Sequence, residues 1–159
     1  MKVLIVSDTH RNLRNFEKVL ECEKNIDMLL HLGDVEDDQE YLEIIMECPV
    51  HIVAGNNDFF SDLPNEVVIQ VGKYRVFMTH GHGYYVSAHT NRLKDAARSR
   101  HADIVMYGHT HKPDIDTSDD VIVVNPGSIS YPRQKDKKPS YIIMEIDEKA
   151  EAKFTLKYL

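Results

Sequence analysis

The chain has 159 residues, 42% hydrophobic and 28% charged, with 19 Lys+Arg against 26 Asp+Glu and a formal net charge of -7. That length suits one domain, residues 1–159, whose core can close without disulfide staples. The acidic balance excludes a general binder of long nucleic acids, which needs a basic face to release counterions.

Residues 2–7, built on the aliphatic run Val3-Leu4-Ile5-Val6 without polar alternation, predict a strand covered on both faces. The apolar run ahead of Ser7-Asp8 is too short for the core of a signal peptide. Over 13–24, Leu13, Phe16, Val19 and Leu20 share one helical face opposite Arg14, Lys18 and Glu21. Residues 27–32 predict a second strand and 38–47 a second helix, carrying Tyr41, Leu42, Ile45 and Met46. Pro49 stops that helix and 50–54 predict a third strand. Strand, helix, strand, helix, strand is the order of parallel βαβ units. The pattern then changes. Residues 67–71 and 75–79 flank Gly72-Lys73 as a hairpin. A more polar helix over 88–100 leads into a strand at 102–107, and strands at 121–124, 140–146 and 152–158 follow. Strands this numerous, with few helices between the later ones, predict two stacked sheets flanked by helices.

No stretch approaches the roughly 20 apolar residues of a membrane helix. Cys22 and Cys48 belong to no CxxC pattern and read as reduced, semi-buried thiols of a cytoplasmic protein. Residues 133–138, between Pro132 and Pro139, read as a solvated loop with Arg133 at its start.

The chemistry-bearing residues lie in short clusters that follow the apolar runs: Asp8-Thr9-His10, Gly33-Asp34-Val35-Glu36-Asp37, Gly55-Asn56-Asn57-Asp58, His80-Gly81-His82 and Gly108-His109-Thr110-His111. Strand ends in an α/β sheet can converge on one crevice whatever their separation in sequence. Carboxylates, imidazoles and an amide oxygen brought together suit borderline divalent cations. Asp8 alone reads as a helix cap, but at i and i+2 of an extended segment Asp8 and His10 can face one ion. Asp34 has two carboxylate oxygens with which to bridge a pair of cations. Asn56 sits in a segment that also reads as a turn, yet its carbonyl is a neutral ligand. His80 follows a strand directly, whereas His82 is expected to face away from an ion held by His80. His109 and His111 are the strongest signal, because imidazoles have little structural reason to sit in a turn. His31 and His51 fall inside strand patterns and read as core histidines; His89 and His101 read as solvent-facing. Tyr84 and Tyr85 fit a cleft lining and exposed packing equally.

The motif series Asp-x-His, Gly-Asp-x-x-Asp, Gly-Asn-x-Asp, His-Gly and Gly-His-Thr-His resembles the calcineurin-like metallophosphoesterases. The short length, the lack of a cap domain and Asn125-Pro126-Gly127-Ser128 resemble the small YfcE-type phosphodiesterase branch, over about residues 1–146. The resemblance implies a four-layer αββα sandwich of two mixed sheets flanked by helices. It implies two divalent ions, Mn²⁺ foremost with Ni²⁺, Fe²⁺, Zn²⁺ or Mg²⁺ as alternatives. Asp8, His10 and His111 would hold the first, Asn56, His80 and His109 the second, and Asp34 would bridge them. Asp37 takes the place of a residue that orients the ligands through a hydrogen bond. The position after the motif asparagine, a histidine in related phosphatases and often cysteine in the YfcE-type branch, is Asn57, which cannot protonate a leaving alkoxide. That leaves His82 or a metal-bound water for the role. The implied reaction is hydrolysis of a small phosphodiester, a nucleotide or short oligonucleotide among them, by a hydroxide shared between the ions. The alternatives are a phosphomonoesterase and a protein-binding scaffold of this fold with weak or no activity. Apolar surface around 60–100 offers a homodimer contact.

Overall fold

Period-two alternation of apolar side chains along the strands decides the layering, because successive residues of a strand point to opposite faces of its sheet. The structure is a computed structural model and describes residues 1–159. In chain order it contains β1 (Lys2–Val6), α1 (Arg14–Cys22), β2 (Met28–His31), α2 (Gln39–Ile45), β3 (Val50–Ile52), β4 (Glu66–Val71) and β5 (Tyr74–Thr79). A 3₁₀ turn (His82–Tyr84), α3 (Asn91–Ser99), β6 (Ile104–Met106), β7 (Pro113–Asp116), β8 (Ile122–Pro126), β9 (Ser140–Ile146) and β10 (Ala152–Tyr158) follow.

One sheet runs β10-β9-β1-β2-β3 and the other β4-β5-β6-β8-β7. In the first, β1, β2 and β3 are parallel, with Val3 opposite Met28 and Leu30 opposite His51, while β9 and β10 are antiparallel additions. In the second, β5, β6 and β8 are parallel and β4 and β7 pair antiparallel at the edges. Val3, Ile5, Leu30, Ile142 and Met144 of the first sheet meet Val76, Met78, Ile104, Met106 and Val124 of the second in a buried core between the sheets. The alternate residues Leu4, Val6, Leu29 and Ile143 pack on Phe16 and Val19 of α1 and Leu42 of α2. Phe77, Val105 and Val123 likewise pack on Leu93 and Ala97 of α3. Helices, sheet, sheet and helix therefore make four layers, the αββα sandwich with two mixed sheets.

The differences from the sequence expectation have local causes. β7 was not foreseen: Pro113 opens it, Asp114 and Asp116 are poor strand formers, and it survives at the sheet edge, paired to β8 alone. The strand expected to end at 124 continues through Asn125 and Pro126, which pair with Asp114 and Pro113. The third helix starts later, at Asn91, because a turn in which Ala88 N and His89 N both donate to Tyr85 O occupies the expected first residues and Thr90 takes the N-cap position. Cys22 is exposed rather than semi-buried, and Cys48 is partly buried. No helix is long and apolar enough to cross a membrane.

Candidate metal centre

The carboxyl ends of β1, β2, β3, β5 and β6 open at one edge of the sandwich, and each is followed by one of the histidine, aspartate or asparagine clusters. Backbone bonds stitch these ends together: Asp8 N donates to Gly33 O at 3.0 Å, His10 N to Asp34 O at 3.0 Å, and Gly108 N to His80 O at 3.1 Å. The aiming of the side chains is not the pleat of a strand. β1 ends at Val6, and Asp8, His10, Asp34, His109 and His111 all adopt left-handed backbone, with φ of 57, 48, 56, 66 and 56°. Each such conformation costs a non-glycine residue on the order of 1 kcal/mol, and this kind of strain gathers at functional sites.

Close approach needs glycine at two points. A Cβ on Gly55 would stand 2.2 Å from Asp34 Oδ1, and one on Gly108 2.0 Å from Ser7 Oγ and 3.0 Å from Asp8 Oδ2.

Three imidazoles turn Nε2 inward. His80 Nδ1 lies 2.6 Å from Leu32 O, His111 Nδ1 2.6 Å from Tyr131 O, and His10 Nδ1 2.5 Å from Glu36 Oε1. Each contact places the Nδ1 proton on an oxygen and leaves Nε2 with its lone pair toward the centre, the arrangement typical of metal-ligating histidine. His111 Nε2 is 3.0 Å from Asp8 Oδ1, His10 Nε2 3.6 Å from Asp34 Oδ2, and His80 Nε2 3.4 Å from Asp34 Oδ2. Ligand atoms of Asp8, His10, Asp34 and His111 lie within 4.8 Å of one another. On the other side His109 Nδ1 is 2.9 Å from Asn56 Oδ1, and the His80 and His109 rings are 5.3 Å apart.

The residues fit a divalent cation on evidence of their own. Both carboxylate oxygens of Asp8 and Nε2 of His80 are buried with no hydrogen-bond partner. Buried polar atoms left unpaired are costly and rare, and a cation is the partner that carboxylate oxygens and imidazole lone pairs share.

The electrostatics agree. Burial pushes the Asp8 carboxyl up, but the His111 imidazole and the charge on His80 outweigh it and hold the pKa below the ordinary carboxylate value. Burial likewise acts against ionised Asp34, and contact with His80 and the two Asn57 donors overcomes it, leaving the group well below the usual range. For His80 burial favours the neutral ring, yet Asp34 and Asp8 raise its pKa. His109 and His82 are both lowered, first by burial and then by the charge on His80.

Asp37 is not brought into the site. Glu36 and Asp37 are left-handed (φ 53 and 74°), and the turn throws the Asp37 carboxylate out to an exposed pair with Arg11. The orienting bonds come from Asp58, unassigned by the sequence reading although its motif contains it. Buried Asp58 accepts from Asp34 N at 2.8 Å, Gly55 N at 2.7 Å, Val35 N at 3.4 Å and Glu36 N at 2.7 Å. Glu36, the His10 partner, stands in the second sequence cluster but was given no role there. Asn57 clamps Asp34, donating from its backbone N to Oδ1 at 2.8 Å and from Nδ2 to Oδ2 at 2.7 Å. His82 is exposed, its ring 6.1 Å from that of His109 and 5.6 Å from that of His80. Asn125 Nδ2 donates to Gly108 O at 3.0 Å and Ser128 Oγ to Asp8 O at 2.9 Å, so this segment buttresses two ligand turns.

Residues 1–149 match the family model of the calcineurin-like phosphoesterase superfamily domain, and the chain belongs to that family. It is 32% identical to the probable metallophosphoesterase MJ0623 of Methanocaldococcus jannaschii over 157 residues, covering 96% of this chain and 80% of the relative. It is 34% identical to the phosphodiesterase MJ0936 of the same organism over 148 residues, covering 80% of this chain and 83% of the relative. A solved structure from Streptococcus pneumoniae TIGR4, a conserved uncharacterized protein described as a predicted phosphoesterase, superposes with a TM-score of 0.80 at 26% identity, over 99% of this chain and 97% of that one. These matches agree with the small YfcE-type branch that the motifs resemble.

Proposed function

We propose that the protein is a phosphodiesterase acting on a small phosphodiester with two divalent metal ions. The observation that carries this reading is the set of inward-facing Nε2 atoms of His10, His80 and His111 around the unpartnered carboxylate of Asp8. Asp8, His10 and His111 would hold one ion, Asn56, His80 and His109 the other, and Asp34 would bridge them. When bound, such ions polarise phosphoryl oxygens and lower the pKa of water toward neutrality, with Mn²⁺ the first choice for mixed N/O ligation and Ni²⁺, Fe²⁺, Zn²⁺ and Mg²⁺ alternatives.

The chain's own residues supply position and charge. Asn57 and Asp58 fix the Asp34 carboxylate and its turn. Leu32 and Tyr131 carbonyls and the Glu36 carboxylate hold the imidazole tautomers, so no ring has to reorient when it ligates. Asn57 has no proton to give a leaving oxygen, and its amide is committed to Asp34. His82 is the imidazole at the rim on that side, and we assign it the leaving-group proton. Its lowered pKa leaves it mostly neutral at pH 7, which favours substrates whose alcohols leave without much help. Cytoplasmic location and a homodimer through the 60–100 surface, where Val68 and Tyr85 are exposed, belong to the same proposal.

A phosphodiesterase named as such among the relatives supports the diester over the monoester. The complete ligand set supports an enzyme over a scaffold. The test is hydrolysis of a chromogenic diester and monoester by metal-stripped protein, with Mn²⁺, Ni²⁺, Zn²⁺ and Mg²⁺ restored separately. Metal-dependent turnover with a larger kcat/KM for the diester is expected. A preference for the monoester, or turnover unaffected by stripping, contradicts the reading.

A further inference from the structure

We infer that the cleft beside Asn56 is a nucleobase site with Phe59 as its stacking platform, an assignment that rests on the phosphodiesterase reading and names its substrate class as nucleotidyl. The cleft has a volume of about 550 Å³ and is lined by Gly55, Asn56, Asn57, Phe59, Asn65 and His82 among others. Two of these touch the metal centre, Asn56 through His109 and Asn57 through Asp34. An ester substituent on a phosphorus held at the centre therefore has this cleft next to it.

The ring is presented on a fixed backbone. Ala54 N donates to Pro64 O at 2.8 Å across the base of the loop, and Ser61 N and Oγ both donate to Asp58 O, at 3.2 and 2.9 Å. The Asp58 carboxylate is tied in turn to the Asp34 turn. On this anchored loop Phe59 is 78% exposed. Folding gains little from a large aromatic ring left in water, whereas every nucleobase offers a π-face to it.

The rest of the lining fits a base better than a protein partner. Only Ala54, Phe59 and Leu63 in it are apolar; the others include amides and an imidazole, whose donors and acceptors match base edges. A protein helix or a second copy of the chain would call for a broader apolar face. Phe60, fully exposed on the same loop, is not part of the cleft and serves as a control.

The test measures binding to the metal-loaded protein by calorimetry, comparing nucleoside 5′-monophosphates with ribose 5-phosphate. The wild type is expected to bind the nucleotide about tenfold more tightly, the contribution of one stacked base. Phe59→Ala should abolish that preference, while Phe59→Trp and Phe60→Ala should keep it. Equal affinity for the two ligands, or a preference that survives in Phe59→Ala, overturns the assignment. Because Phe59 is exposed, thermal melting of Phe59→Ala should match the wild type. A base preference without diester turnover would refute the hydrolase reading and leave the base site standing; turnover without a base preference would do the reverse.

Discussion

Asp58 gathers backbone donors from two loops, so its removal leaves Asp34 N, Gly55 N and Glu36 N without their carboxylate acceptor. Asp58→Ala is expected to cost on the order of 3 kcal/mol, a fall of roughly 6–12 °C in Tm, by the usual price of buried donors left without a charged acceptor. It should also weaken metal binding although Asp58 is no ligand, and a calorimetric scan with a metal titration checks both; an unchanged Tm would show that other acceptors take over. His31 makes a second residue-scale prediction. It is fully buried beside Thr9 Oγ1, and burial lowers its pKa from 6.5 to about 4. The unfolded chain thus takes up a proton that the folded one refuses, so stability falls as pH drops from 6.5 to 4, by about 3 kcal/mol. The sign is opposite for His80 in metal-free protein: its raised pKa contributes stability below pH 6.5 that fades as pH rises through the folded value. Denaturation of the metal-free protein should therefore show greatest stability near pH 6.5. His31→Gln should flatten the acid side of that profile, and an unaltered profile would remove His31 from the account.

At the scale of elements, strand ends and glycines together bring the ligands into reach. Gly55→Ala would drive a methyl group to 2.2 Å from Asp34 Oδ1, and Gly108→Ala to 2.0 Å from Ser7 Oγ. Either substitution should lower metal affinity by at least tenfold, since Asp34 at the first turn and Ser7 with the neighbouring Asp8 carboxylate at the second can only yield by moving; unchanged affinity measured by titration would mean the turns are softer than they look. This is also the scale at which the sequence was most readable. The βαβ order and the unbroken aliphatic run Val3, Leu4, Ile5 and Val6 predicted the parallel sheet, because burial on both faces leaves few alternatives to aliphatic residues. β7 escaped notice because an edge strand can be built from Pro113 and aspartates without a sequence signature. The ligand clusters were legible from residue type and position after strands. The geometry that aims them was not: left-handed φ at Asp8 or His109 follows from tertiary packing, and no local pattern announces it. The same cause displaced Asp37, since motif spacing cannot tell which of two aspartates, Asp37 or Asp58, the turn will face inward.

The whole molecule separates stability from chemistry. Its three apolar cores lie between and outside the two sheets, away from the rim that holds the ligands. Metal-free protein is therefore expected to stay folded, and metal should add stability by linkage: about 2.7 kcal/mol at a free concentration one hundred times Kd, or roughly 5–10 °C in Tm. Thermal melts with and without chelator check this, and loss of the folded state on chelation would contradict it. The most direct measurement of the central claim is the number of Mn²⁺ ions bound per chain, by elemental analysis of the dialysed wild type and of Asp34→Asn. Two ions in the wild type and loss of both in the variant are predicted. A single ion in the wild type, or loss of only one on replacing Asp34, would contradict a centre bridged by that carboxylate.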